Sequence, residues 1–194
     1  MSDWYVSSSL TFHSDKITCV VDEYGDEQVE IMMDWEHPIM SASAAYITQG
    51  GGDILEIGFG MGISAGYIQS HSISSHTIIE NHPQIVEKLE TWASGKSNVT
   101  IISQSWADVT GSLGTYDGIF YDTSYDDKHN LFSSSLSELT KTGTKLSVFN
   151  SYSSETNIFN LEMSYRQISV TPSISSSQYF QSESTTYYMP IKEF

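Results

Sequence analysis

Three glycines in Leu55-Glu56-Ile57-Gly58-Phe59-Gly60-Met61-Gly62 constrain the fold of this chain more than any other feature. A buried apolar strand, Asp53-Ile54-Leu55-Glu56-Ile57, runs into Gly58 and Gly60, and a helix over 61–69 follows. Glycine at such a junction lets the backbone turn sharply and lets a ligand approach the main chain closely. Some strand–helix turns need glycine for geometry alone, so the motif by itself leaves both roles open. Two acids tilt the balance toward a ligand. Glu56 stands before the glycines, where a dinucleotide-binding loop has no need of a carboxylate. Glu80 closes the next apolar run about 20 residues further on, where an acid accepts hydrogen bonds from ribose hydroxyls.

Downstream of the glycines, short apolar runs alternate with helix-length amphipathic stretches. Strands are expected at 53–57, 77–80, 99–102, 118–121 and 145–149, with helices at 61–69, 83–92 and near 131–139. That alternation predicts a parallel sheet with helices on both faces. Two longer strands, 165–171 and 185–191, joined by a loop that includes 172–177, read as a terminal antiparallel pair. Upstream, residues 10–33 alternate around an acidic turn containing Gly25, the pattern of a β-hairpin. Pro38 suits the first turn of a helix that continues through Ile47 and stops at Gly50-Gly51-Gly52. The expected class is α/β, a doubly wound sheet with a C-terminal antiparallel pair and an N-terminal hairpin lid. We expect one compact unit, with a hairpin and lid segment over 1–40 and the sheet over 41–194.

Twenty-four acidic residues stand against 8 basic ones, a formal charge of −16. Such a field repels phosphate backbones and anionic membrane surfaces, so neither nucleic acid nor membrane is an expected partner. It favours a cationic substrate, although acidic surfaces also serve solubility and salt adaptation. Cys19 is the single cysteine, so no internal disulfide and no cysteine-based metal cluster can form. Residues 1–6 lack a basic stretch followed by an apolar one, and no run approaches the ~18–20 apolar residues of a membrane span. A soluble, cytoplasmic protein is expected. His71, His76 and His82 show no metal-ligand spacing and read as surface or loop residues, so no metal is expected. No serine sits in a nucleophile-elbow pattern, which argues against a hydrolase.

The glycines are not followed by the Lys-Ser/Thr of a phosphate-binding loop; Gly60-Met61-Gly62-Ile63 offers neither. The neutral adenosine and cationic sulfonium of S-adenosylmethionine suit an acidic, phosphate-free pocket better than a dinucleotide does. Asp122 directly follows the strand Gly118-Ile119-Phe120-Tyr121, at the edge where open α/β sheets carry their sites. Glu36, in Met32-Met33-Asp34-Trp35-Glu36-His37-Pro38, precedes a helix. Each acid alone is as well explained by capping or by a helix dipole. As a pair they match the planar fork of donors on a guanidinium. A guanidinium nitrogen is a poor nucleophile, so a carboxylate that localises its charge and accepts a proton helps methyl transfer. Asp122 is the candidate base and Glu36 its orienting partner. Trp106 either contacts adenine or belongs to the core. Met32, Met33 and Met40 have the character of core filler.

Residues 32–40 (MMDWEHPIM), 53–69 (DILEIGFGMGISAGYIQ), 77–81 (TIIEN) and 116–123 (YDGIFYDT) resemble guanidinoacetate N-methyltransferases and the related fungal protein-arginine methyltransferases. The resemblance runs from about Ile31 to Asn150 and returns at Tyr187-Tyr188-Met189-Pro190. It implies a Rossmann-like methyltransferase sheet, S-adenosylmethionine as cofactor and S-adenosylhomocysteine as product. By resemblance Glu36 and Asp122 match the guanidino-binding acids. Met32, Met40, Glu56, Gly58, Phe59, Gly60, Met61, Gly62, Ile63 and Ser64 match the cofactor pocket, with Glu80, Asn81, His82, Trp106 and Ala107. Ser151 and Tyr152 match the segment that holds the acceptor's other end.

The chain departs from the family at Ala107, where an acid is usual, and at Ser124, where an aromatic is usual two residues after the base; Tyr125 is adjacent. The N-terminal hairpin is closer to the arginine methyltransferases, and either Tyr5 or Phe12 aligns with the family's aromatic lid. The first expectation is an N-methyltransferase acting on guanidinoacetate or a similar small guanidino compound. The alternatives are a protein-arginine N-methyltransferase and a non-catalytic S-adenosylmethionine-binding protein, with a nicotinamide dehydrogenase a distant fourth. The sequence leaves the oligomeric state open.

Overall fold

The computed structural model describes residues 3–21, 27–123, 128–152, 154–171 and 185–194. A short helix, α1 (Asp3–Ser7), leads into three strands, β1 (Leu10–Phe12), β2 (Lys16–Val21) and β3 (Glu27–Met33). A 3₁₀ turn over Asp34–Glu36 then feeds α2 (His37–Ile47). The alternating half follows: β4 (Asp53–Ile57), α3 (Ile63–Gln69), β5 (Ser75–Ile79), α4 (Pro83–Ala93) and β6 (Val99–Ile102). It continues through α5 (Trp106–Val109), β7 (Tyr116–Tyr121), α6 (His129–Leu139) and β8 (Thr140–Val148). The last two strands are β9 (Ser164–Ser169) and β10 (Thr186–Glu193).

Two sheets result. β1, β2 and β3 form a three-stranded antiparallel sheet, and the remaining seven strands lie in the order β6-β5-β4-β7-β8-β10-β9. In the large sheet β4 through β8 pair in parallel, while β10 runs antiparallel to both β8 and β9. This is the doubly wound sheet with a terminal antiparallel pair expected from the apolar runs. The hairpin is present as β2 and β3, with β1 added at its edge; its Gly25 turn lies outside the described residues, as does the expected loop over 172–177.

The strands alternate faces and so divide the core. On one face Ile54 and Phe120 pack beneath Ile39, Met40, Ala44 and Ile47 of α2, joined by Tyr187 and Met189 of β10. On the other, Leu55, Ile57, Ile119 and Tyr121 meet Phe132, Leu136 and Leu139 of α6. Those three residues recur at helical spacing and are 0–2% exposed, so each contributes about 1.5–3 kcal/mol of burial. The N-terminal elements do not stand apart: Tyr5, Leu10, Ile17, Cys19 and Ile31 share a third cluster with Ile78, Ile85 and Leu89. That cluster brings α1 and the small sheet to the carboxyl edge of β5.

Candidate functional site

The large sheet reverses its strand order between β4 and β7, the switch point where open α/β folds bind ligands. Their parallel register pairs Ile57 with Tyr121, so Gly58 and Asp122 emerge side by side. The Asp122 amide donates to the Ile57 carbonyl at 2.9 Å, and the Gly58 amide to the Ile79 carbonyl at 2.9 Å. Gly58 has φ 94°, and a Cβ there would lie 1.8 Å from the Asp122 carbonyl oxygen. At Gly60 (φ 54°) a Cβ would lie 2.4 Å from the Met32 sulfur, to which the Met61 amide points at 3.0 Å. Glycine is needed here because the chain itself packs against the turn.

The turn opens onto a cavity with about 350 Å³ of empty space, including its mouth. Tyr5, Ile31, Met32, Gly58, Phe59, Gly60, Glu80, Asp122 and Thr123 line it. Glu80 is buried at the end of β5 and accepts the Asn81 and His82 amides at 2.8 Å each and the Phe59 amide at 3.1 Å. Burial raises its carboxyl above the usual range, and these amides, with that of Gly60, oppose the rise. Beside it, the side-chain oxygen of Asn81 is buried with no hydrogen-bond partner among the described residues. Such an atom calls for a donor from elsewhere.

His82 caps the start of α4 and is fully buried, not a surface residue. Burial lowers its pKa, opposed by the Ser8 carbonyl, so the ring is neutral at pH 7. Its Nδ1 accepts the Gln84 amide at 3.3 Å and its Nε2 donates to the Ser8 carbonyl at 3.2 Å. With the Leu10 amide donating to Gln84 Oε1 at 2.8 Å, this ties the N-terminal segment over the cavity. Tyr5 is thereby buried, with its ring 5.0 Å from that of His82, and it lines the cavity where Phe12 does not.

Asp122 is half-buried, and its carboxyl is pushed up to about 7, first by burial and then by the negative charges of Glu56 and Glu80. Glu36 is 2% exposed and accepts the Met33 amide at 2.8 Å. It does not line the cavity. Burial and the charges of Asp122 and Glu36 hold the Tyr187 phenol well above its usual range, against the Asn150 amide, which donates to its oxygen at 2.7 Å.

Other expected residues lie elsewhere. Trp106 is 1% exposed and packs edge-on against Tyr121 and Phe132, which is the core alternative, and Ala107 joins the same cluster. Met40 and Ile63 are buried in the cluster under α2. Ser64 donates to Glu56, and both are buried beneath the turn rather than facing the cavity. Gly62, at φ 75°, caps α3. Ser151 is half-buried and Tyr152 is 50% exposed, on the segment after β8. Ser124 and Tyr125 lie outside the described residues. Sequence reasoning missed Ile31 and Thr123 in the lining, and Tyr187, whose phenol feels the charges of both acids. Thr123 and Tyr187 both sit within stretches that carry the family resemblance, which is the signal that was available.

A family model described as guanidinoacetate N-methyltransferase matches residues 22–165. The chain belongs to this family. Within it, the chain is 36% identical over 155 residues to a protein named protein arginine N-methyltransferase 2 from Aspergillus oryzae, covering 75% of this chain and 36% of that one. A protein of the same name from Yarrowia lipolytica is 35% identical over 161 residues, covering 75% of this chain and 33% of that one. The chain thus spans about a third of the length of the curated relatives it matches. Among solved structures, spermidine synthase from Thermotoga maritima superposes with a TM-score of 0.61 at 10% identity, covering 95% of this chain and 72% of that one. Aeropyrum pernix fibrillarin, in complex with natively bound S-adenosyl-L-methionine, gives 0.56 at 12% identity, covering 94% and 97%. These two likenesses speak to the fold.

For a member of the guanidinoacetate N-methyltransferase family, the cavity's chemistry is selective. Its lining holds two carboxylates and no Lys, Arg or His among the described residues. A phosphate would meet only like charge there. A ligand with neutral donors and a positive centre fits the two acids.

Proposed function

We propose that this chain is an S-adenosylmethionine-dependent N-methyltransferase whose acceptor is the guanidino group of an arginine in a polypeptide. The observation that carries the reading is the place of Asp122, packed against Gly58 of the glycine turn and lining one cavity with Glu80. For the cofactor, Glu80 would receive the ribose hydroxyls, while the acidic lining would favour the sulfonium. Bound there, it would supply an electrophilic methyl group.

The rest of the chemistry falls to the chain. Ionised Asp122 pairs with two guanidinium N–H groups and localises the positive charge away from the attacking nitrogen. As that nitrogen forms its new bond to carbon, its proton passes to Asp122, whose pKa near 7 suits a base working at neutral pH. Glu36 orients the far side of the flat cation, and the surrounding protein excludes water from the exchange.

Guanidinoacetate, the first expectation from sequence, gives way to arginine for two reasons. The relatives quoted above bear the name protein arginine N-methyltransferase 2. A free carboxylate two bonds from the guanidino group would meet Glu80 and Asp122 with no cation in the described lining to balance it. The family's own description keeps guanidinoacetate as the second reading. A radiolabelled methyl-transfer screen over guanidinoacetate, free arginine, agmatine and arginine-containing peptides tests both. Label in peptide arginine and agmatine but not in guanidinoacetate is expected. Label in guanidinoacetate alone would restore the second reading. Tight cofactor binding with no transfer to any acceptor would make the chain a binding protein. A cytoplasmic location remains part of the proposal.

A further inference from the structure

His76 and Glu56 form a buried polar pair; the proposed chemistry uses Glu56 only through its charge on Asp122, and His76 not at all. Both side chains are 0% exposed, one on β5 and the other on β4. His76 Nε2 lies 2.9 Å from Glu56 Oε2, at ion-pair distance but outside hydrogen-bond alignment. The other imidazole nitrogen, Nδ1, faces the Gln69 amide nitrogen at 3.3 Å. An amide donor at Nδ1 leaves the ring proton on Nε2, toward the carboxylate. The second Glu56 oxygen accepts the Ser64 hydroxyl.

Ser64 lies in the first turn of α3 and Gln69 is its last residue. One imidazole and one carboxylate therefore bracket both ends of α3 against β4 and β5. The only covalent link between β4 and α3 is the glycine turn, whose residues Gly58, Phe59 and Gly60 line the cavity. Packing continues the bracket: Trp92 meets the His76 ring edge-on at 6.4 Å and the Phe59 ring at 5.5 Å.

We propose that His76 is a positioning residue for the cofactor loop, acting through Glu56 to hold α3 and the glycine turn in their binding geometry. His76 Nε2, 2.9 Å away, is the polar neighbour that faces Glu56 Oε2 although unaligned. With an apolar side chain there instead, the buried carboxylate draws in water or turns away, and Ser64 and the turn lose their anchor with it. This inference rests on the reading that the turn binds S-adenosylmethionine. Glutamine at position 76 can present a donor near the place of Nε2; leucine cannot.

The test uses the whole chain as it stands, with His76→Leu, His76→Gln, Glu56→Gln and the Glu56→Gln/His76→Leu double variant. Calorimetric binding of S-adenosylhomocysteine is measured alongside hydrogen exchange of the 58–64 amides in the free protein. His76→Leu is expected to weaken binding roughly tenfold, as for a stranded buried acceptor, and to speed exchange at 58–64 more than in α6. His76→Gln is expected to stay within about twofold of the parent, and His76→Leu to add little once Glu56 is Gln. In turnover the loss should fall on KM for the donor, with kcat nearly kept. Parent protein that binds while His76→Leu binds equally well overturns this inference alone, as does equal weakening by Leu and Gln. Parent protein that does not bind overturns the cofactor reading and this inference together. Should the Leu variant fail to fold, His76→Gln and Glu56→Gln decide by the same two measurements, and His76→Gln as weak as Glu56→Gln contradicts the proposal.

Discussion

At Asp122 the physics of a single carboxyl links fold to chemistry. Burial and the charges of Glu56 and Glu80 place its titration near 7. A base acts only when ionised, so kcat/KM should fall as pH drops below about 7, on an acid limb that Asp122→Asn removes. That variant should lose about 10²- to 10⁴-fold in turnover, the range for a positioned base, with S-adenosylhomocysteine affinity largely kept. The same shift makes a stability prediction with a definite sign. The folded pKa stands above the ordinary value of 3.8 for an aspartate, so the folded state holds the proton more tightly. Stability from this group is full below about 4 and declines as pH rises to about 7. Asp122→Asn should therefore raise the melting temperature at pH 8 and not at pH 4, by roughly 2–4 °C for each kcal/mol relieved. Equal melting of the two proteins at pH 8 would show that Asp122 bears no such strain.

Among the elements, the turn between β4 and α3 and the helix it feeds respond oppositely to added methyl groups. A Cβ at Gly58 would run into the Asp122 carbonyl at 1.8 Å, with φ 94° besides. Gly58→Ala should force β4 and β7 apart at the site and abolish cofactor binding. Gly66, exposed within α3, meets nothing within 4 Å. Gly66→Ala should stabilise the protein by about 0.5–1 kcal/mol, read from denaturant unfolding, with binding unchanged. These elements were legible in the sequence because β4, β5 and β7 are apolar runs whose burial needs no knowledge of distant partners. α1, β1 and α5 were not, being 5, 3 and 4 residues long and held by packing rather than by their own periodicity. His76 and His82 were misjudged for a related reason. Burial of a histidine depends on partners, here Glu56, Gln69, Ser8 and Gln84, that spacing along the chain does not announce. Asp122 and Glu80 were readable because each closes a strand of the switch-point edge. Tyr187 was readable only through the family resemblance at 187–190, since its place near the acids depends on how β10 returns beside β8.

Across the whole molecule, 24 acids and 8 bases leave a field that reaches beyond any one contact. Exposed charges are screened beyond about 8 Å at physiological salt, so the field acts on encounter more than on the bound complex. KM for an arginine-rich peptide should rise several-fold between about 0.05 and 0.5 M salt while kcat holds, whereas agmatine, with fewer charges, should respond less. Salt-insensitive peptide kinetics would assign the acidic surface to solubility alone. The account's central claim is that Asp122 takes the proton from a guanidino nitrogen as it is methylated. Single-turnover transfer of labelled methyl from S-adenosylmethionine to an arginine peptide, followed across pH in the parent and in Asp122→Asn, tests it most directly. With the acceptor below saturation, so that the rate reports the unliganded site, the account predicts labelled N-methylarginine, a parent rate that rises through pH about 7 and a variant that is slow and pH-independent there. Transfer at the same rate and with the same pH profile in both proteins would contradict it.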